Sequence, residues 1–126
     1  MRITKTNPTR QYTGQWASAN EDAWGMSVIM GFPNNAKYIF VPWYTYDSNG
    51  KAAWYIFQGD GWSANDKITL DVYRYTGPNW GTAWNNSKVA NTKVGTATLT
   101  FTSATAVTFQ YNVDNANRTV SLAKLQ

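Results

Sequence analysis

The chain has no cysteine and no histidine. The first absence removes disulfide scaffolds, thiolate nucleophiles and zinc–thiolate sites. The second removes imidazole metal ligands and every nucleophilic triad that needs a histidine base. Charge is scarce as well: Asp, Glu, Lys and Arg make up 14% of the residues, and their balance is +4. The basic side chains Lys37, Lys51, Lys67, Arg74, Lys88, Lys93, Arg118 and Lys124 each stand alone. They form no stripe that would track a nucleic-acid backbone, so no nucleic-acid partner is expected. No stretch approaches the ~20 apolar residues of a helical membrane span. The opening MRITKTNPTRQ lacks the apolar run of a secretion signal. A surface so poor in charge falls to Thr, Asn, Ser and Gln, which suits an extracellular or saccharide-facing protein.

Aromatic residues are abundant: 16% of the chain, with seven Trp and eight Tyr among 126 residues. That length suits one domain large enough to bury a core without cross-links. Residues 1–10 are polar and aperiodic and are expected to be a flexible tail, leaving 11–126 as the domain. No helical period appears. From Tyr12 onward short runs alternate apolar and polar residues between turn signals, the all-β pattern. Strands are expected over Tyr12–Trp16, Trp24–Met30, the two arms of Lys37–Gln58, Lys67–Tyr75, Lys93–Phe101, Val107–Val113 and Arg118–Leu125. Inward rows are expected at Ile68, Leu70 and Val72, at Gly95, Ala97, Leu99 and Phe101, at Val107, Phe109, Tyr111 and Val113, and at Val120 and Leu122. Eight strands with mostly short links predict an antiparallel up-and-down meander β-barrel, whose closure removes both sheet edges. The alternative is a two-sheet β-sandwich.

The segment KYIFVPWYTYDSNGKAAWYIFQ reads as a hairpin around Asn49-Gly50, the strongest short signal for a type I′ turn. That turn sets Ser48 opposite Lys51. Trp54 then opposes Thr45, Ile56 opposes Trp43 and Gln58 opposes Val41 on one face. Ala53 opposes Tyr46, Tyr55 opposes Tyr44 and Phe57 opposes Pro42 on the other. Both faces are apolar, so one is expected to line the core and the other to meet a ligand, a loop or a second subunit.

Five segments, Tyr12–Trp16 (YTGQW), Glu21–Gly25 (EDAWG), Trp43–Trp54 (WYTYDSNGKAAW), Tyr73–Pro78 (YRYTGP) and Val94–Phe101 (VGTATLTF), occur in an order and spacing that resembles an uncharacterised bacterial β-domain family. That family recurs in secreted and surface-exposed proteins. The chain departs from its pattern at Tyr44, where Phe is usual, and in a Trp-rich loop in the 80s. The resemblance implies a secreted or cell-surface location rather than a chemistry. The Gly14-Gln15-Trp16 opening is also similar, more distantly, to lipocalin and avidin-like barrels, whose first-strand Gly-x-Trp packs under a late basic residue. Arg118 or Lys124 is the candidate for that residue, through cation–π contact.

No catalytic signature is present. Asp60, Asn65 and Asp66 offer hard oxygens, but their spacing fits no known calcium loop, so no metal and no cofactor is expected. The candidate ligand-binding residues are the loop tryptophans Trp62, Trp80 and Trp84, the tyrosines Tyr44 and Tyr55, and Trp24 with Glu21. Loops carry function more often than strands, and exposed Trp is costly without a use. Each has a structural reading beside the functional one: the loop tryptophans as plugs, Trp24 as a core cap, and Tyr44, Tyr46 and Tyr55 as a subunit interface. The function these residues predict is a non-enzymatic extracellular binding module for a small apolar molecule or a saccharide, held by aromatic side chains at a barrel mouth. The alternatives are a structural or adhesive domain that oligomerises through the tyrosine face, and a barrel isomerase or cyclase using Tyr, Asp or Glu.

Overall fold

A computed structural model describes residues 7–125. Nine strands follow in order: β1 Gly14–Ala17, β2 Gly25–Phe32, β3 Asn35–Tyr46, β4 Ala52–Gly59, β5 Trp62–Ser63, β6 Lys67–Thr76, β7 Ala90–Ser103, β8 Ala106–Val113 and β9 Ala116–Lys124. Consecutive strands pair antiparallel except β4 with β5; β4 pairs β6 instead, and β1 pairs β9. The result is a closed eight-stranded meander barrel, with β5 an extra short strand on the edge of β6. No helix among the described residues is long and apolar enough to cross a membrane.

Side chains alternate inward and outward along a strand, so the period-2 rows become the barrel interior. Met26 and Val28 of β2, Ile68 and Val72 of β6, Leu99 and Phe101 of β7, Val107 and Phe109 of β8 and Val120 and Leu122 of β9 are all buried. Phe109, fully buried, anchors the middle. It stacks on Phe57 at 6.0 Å and meets Trp43 edge to face at 5.0 Å. Removing such a ring from a filled interior costs about 3–5 kcal/mol.

The meander puts the loops at two ends. At the lower end are residues 7–12, the β2–β3 turn, the 60–66 segment and the chain's last described residue. Tyr12 stacks on Phe101 at 3.8 Å, and Trp16 Nε1 donates to the Tyr12 carbonyl at 3.1 Å. The buried Asp66 carboxylate accepts from the Tyr12 hydroxyl, the Thr9 amide and the Thr9 hydroxyl, and the Asp66 amide donates to Asn7 Oδ1. Asn7 and Thr9, expected as part of a tail, are therefore tied to the barrel floor; residues 1–6 lie outside the described range.

The β3–β4 hairpin departs from expectation by one residue. Tyr44 pairs with Trp54 and Trp43 with Tyr55, rather than Tyr44 with Tyr55 and Trp43 with Ile56. The turn spans Asp47 to Gly50: the Gly50 amide donates to Asp47 O, the Asp47 amide donates to Lys51 O, and Gly50 has φ 73°. Ser48 and Asn49 keep negative φ, so this is a type I turn followed by a left-handed glycine, the three-residue loop with a bulge. Asp47 at the first position reinforces it, accepting from the Asn49 and Lys51 amides. The two-residue type I′ turn occurs instead at Asp114-Asn115, both at positive φ, between the paired Val113 and Ala116.

Because side chains have period 2, one residue of slip moves a whole set to the other face. Tyr55 and Phe57 are interior, with Val41 and Trp43, while Trp54 lies outside beside Tyr44 and Tyr46. The outer aromatic face expected from Tyr44, Tyr46 and Tyr55 is thus built from Tyr44, Tyr46, Trp54 and Tyr75, the last two stacked at 5.5 Å.

Candidate functional site at the upper barrel mouth

The upper end gathers the 18–24 loop, the 47–50 turn, the 77–89 connection and the 114–115 turn. Between them the interior stops short of filling the barrel. A recess of about 220 Å³ opens there, walled by Trp43, Tyr55 and Tyr111 and rimmed by Thr45, Tyr46, Asp47, Ser48 and Asp114. A second recess of about 170 Å³ adjoins it under Glu21, Trp24 and Arg118, sharing Trp43, Thr45, Tyr46 and Tyr111 as walls. The Trp43 ring centroid lies 5.1 Å from Tyr55 and 4.8 Å from Tyr111. Two adjacent strands, β3 and β4, and one across the barrel, β8, supply these rings, each bringing an inward aromatic to the same height.

The indole N–H of Trp43 is buried and has no hydrogen-bond partner among the described residues. An unpartnered buried donor costs about 1–3 kcal/mol and is uncommon in native interiors. It belongs to a residue that lines both recesses.

Two ion pairs frame the mouth. Arg118 grips Glu21 through paired bonds of 3.0 and 2.8 Å, and Trp24 Nε1 donates to the same carboxylate at 3.2 Å. The Arg118 bond, with help from Trp24, holds the Glu21 carboxyl below its ordinary range, and Glu21 in turn raises Arg118. Arg74 meets Asp47 at 3.2 Å. The Asp47 carboxyl is lowered first by the Lys51 and Asn49 amides and then by Arg74. Burial raises the Tyr55 hydroxyl; Arg74 pulls it back, and Asp114 and Asp47 push it up again. The 18–24 loop is pinned from below as well. The Tyr46 hydroxyl donates to the Ala23 carbonyl at 3.2 Å, with Ala23 held at φ 65°, a backbone conformation that costs a non-glycine residue about 1–2 kcal/mol.

Of the residues expected to bind ligand, Trp24, Glu21 and Tyr55 come together at this mouth. Trp80 and Trp84 lie in the 77–89 connection at the same end, 99% and 72% exposed, with Trp84 Nε1 donating to Asn86. Trp62 is at the opposite end, packed on Tyr12 and Phe101 with its Nε1 donating to the Lys37 carbonyl at 2.7 Å. Tyr44 faces outward on the barrel wall. Of the two basic residues considered for Trp16, Lys124 is its strand partner and lays its aliphatic stem over Gly14, while Arg118 serves Glu21 at the far end. Asp60 and Asp66 are each taken by protein donors, Asp60 by Asn35 Nδ2 at 2.6 Å. Trp43 and Tyr111, read from the sequence as inward core residues, are so placed, Trp43 buried and Tyr111 packed against the core; what alternation did not show is that the two line the recesses at the same height.

Comparison of the chain with models of known protein families, with curated proteins and with solved structures found no match.

Proposed function

We propose that this domain is a non-enzymatic binding module that holds a small ligand through aromatic side chains at its upper barrel mouth. The observation that carries the reading is the recess lined by the three rings of Trp43, Tyr55 and Tyr111 together with Thr45, Ser48, Asp47 and Asp114. Such a mouth is the usual ligand site of a small meander barrel. The ligand classes that the composition suggested are a small apolar molecule or a saccharide. The motif resemblance supports a secreted or cell-surface setting.

Proton-transfer chemistry fits less well. A general acid or base working near neutral pH needs a carboxyl shifted upward. Glu21 and Asp47, the mouth carboxyls with displaced values, are both shifted downward by their partners.

The test is intrinsic Trp fluorescence against a panel of saccharides and small apolar molecules. Trp80→Phe with Trp84→Phe as background removes the emission of the two most exposed indoles. A saturable change that persists in this background and is lost on Trp43→Phe supports the mouth as the site. A response that disappears with Trp80 and Trp84 moves the site to the 77–89 connection. A flat response across the panel overturns the reading.

A second reading is favoured by the outer face of one wall, where Tyr44, Tyr46 and Trp54 are exposed and half-buried Tyr75 stacks on Trp54. It makes the domain a structural or adhesive unit that self-associates there. Elution above the monomer's 14.2 kDa, abolished by Tyr44→Glu, supports it.

A further inference from the structure

A binding site at the mouth leaves the ligand's charge open, and the side chains around the recess narrow it. Two charged residues line the larger recess, Asp47 and Asp114, and no cationic residue does. The nearby cations are already engaged, Lys93, which shares a groove with Asp114, by Asp71 at 3.2 Å. Arg74 binds Asp47 at 3.2 Å, and Arg118 in the adjoining recess is held on both terminal nitrogens by Glu21. Asp114 enters no ion pair among the described residues. An uncommitted carboxylate therefore stands at the rim of a three-ring recess, in a chain whose net charge is +4. At the Tyr55 hydroxyl the nearest charges oppose one another: Arg74 favours ionisation, and Asp114 and Asp47 disfavour it.

Aromatic faces are electron-rich and attract cations, more strongly where water is excluded. Carboxylates at the rim disfavour an anion entering and steer a cation inward. The recess, at about 220 Å³, is smaller than the ~300–1,000 Å³ of sites that enclose drug-sized ligands, and so suits a single head group. Resting on the mouth as the binding site, we infer that it takes a small organic cation, an alkylated ammonium group seated against Trp43, Tyr55 and Tyr111 with Asp114 as its counter-charge. The same chemistry is carried by a free quaternary amine and by a methylated lysine side chain.

Calorimetric titration of the intact chain with choline, its uncharged isostere 3,3-dimethylbutan-1-ol and a trimethyllysine peptide separates these cases. A cation site binds choline or the peptide at least about tenfold more tightly than the isostere. Preference for choline makes the source a free amine, and preference for the peptide makes it a protein side chain; both support the inference. Asp114→Asn preserves the turn, because Asn adopts the left-handed conformation as readily. It should weaken cation binding severalfold and leave isostere binding unchanged, whereas Tyr111→Leu should weaken both. Equal affinity for choline and the isostere, or cation binding indifferent to both substitutions, overturns the cation inference and leaves the mouth reading standing. Failure of every probe, sugars and apolar molecules included, overturns both.

Discussion

Arg118 on β9 and Glu21 in the 18–24 loop, 97 residues apart in sequence, are joined by two parallel hydrogen bonds that close one side of the barrel mouth. The pair is exposed, and exposed pairs add little to global stability. Its effect is local, on a loop that also carries Trp24. Arg118→Leu is expected to leave the thermal midpoint almost unchanged while speeding amide exchange across residues 18–24 and shifting Trp24 emission to the red. Acid should do the same. Arg118 holds the folded-state Glu21 carboxyl below its ordinary value of 4.5, so the contribution is complete above that value and is lost as pH falls through the lower folded-state one. Unchanged exchange in the variant would mean that the Tyr46–Ala23 bond alone fixes the loop.

At the opposite end, Asp66 is 4% exposed and ties the segment at Asn7 and Thr9 to the barrel. Burial works to raise its carboxyl, but the hydroxyls of Tyr12 and Thr9 and the Thr9 amide outweigh it, and the net direction is down. Asp66→Asn keeps the size and the left-handed backbone, at φ 53°, but sets an amide N–H₂ among donors. A loss of about 2 kcal/mol at neutral pH is expected, from hydrogen bonds to a charged group. The folded-state value is depressed, so the wild-type advantage is present above the ordinary carboxylate range and shrinks as pH falls through the folded value. Urea melts of both proteins at pH 7 and pH 3 check it. An equal gap at the two pH values would rule out the carboxylate charge as its source.

Much of the barrel was legible because its signals are local. The inward rows of β6, β7, β8 and β9 follow from period-2 alternation, and most of their members proved buried, as at Ile68, Val72, Leu99, Phe109 and Val120. Closure followed from the count of strands and short links. The mouth was legible in part: Trp24 and Glu21 share a loop and do meet there, whereas Tyr55, expected on the outer tyrosine face, turns inward to line the recess. A one-residue error in the hairpin register set Trp54 on the face of Trp43; Trp43 is core as read, and Trp54 lies outside. Tyr111 was one inward aromatic among several. Nothing local marks two side chains from β3 and β8 as neighbours; only the barrel's closure brings them within 4.8 Å. Likewise the 60–66 loop was recognisable as a loop, but Trp62 docking on the Lys37 carbonyl was not.

Gly95 should resist any substitution. It lies beside the irregularity where β7 carries Val94 as an extra residue between the pairs Val72–Gly95 and Tyr73–Lys93. A Cβ built there falls 1.9 Å from the Asn112 carbonyl oxygen, a backbone atom that cannot swing aside. Gly95→Ala is therefore expected to cost about 2–3 kcal/mol by forcing β7 away from β8. The strain would reach Val113 and Asp114 at the mouth, so ligand affinity should fall along with the urea midpoint. A midpoint within about 0.5 kcal/mol of wild type would show that β8 can shift freely here.

The β3–β4 hairpin offers a test of what sets a register. Tyr46 pairs with Ala52, and Asp47 and Lys51 close the loop of Ser48, Asn49 and Gly50. Deleting Ser48 leaves Asn49-Gly50 as a two-residue loop between Asp47 and Lys51, the arrangement that type I′ turns favour. The strand pairing itself need not move. Buried Val41, Trp43, Tyr55 and Phe57 would keep their inward positions, and a slip would expose all of them at once. The deletion should therefore cost no more than about 1 kcal/mol, chiefly from reshaping the Asp47 bonds to the Asn49 and Lys51 amides. Cross-strand nuclear Overhauser contacts between Trp43 and Tyr55 are expected to persist. Their replacement by Trp43–Ile56 contacts would mean that the turn, rather than the buried rows, dictates how these strands meet.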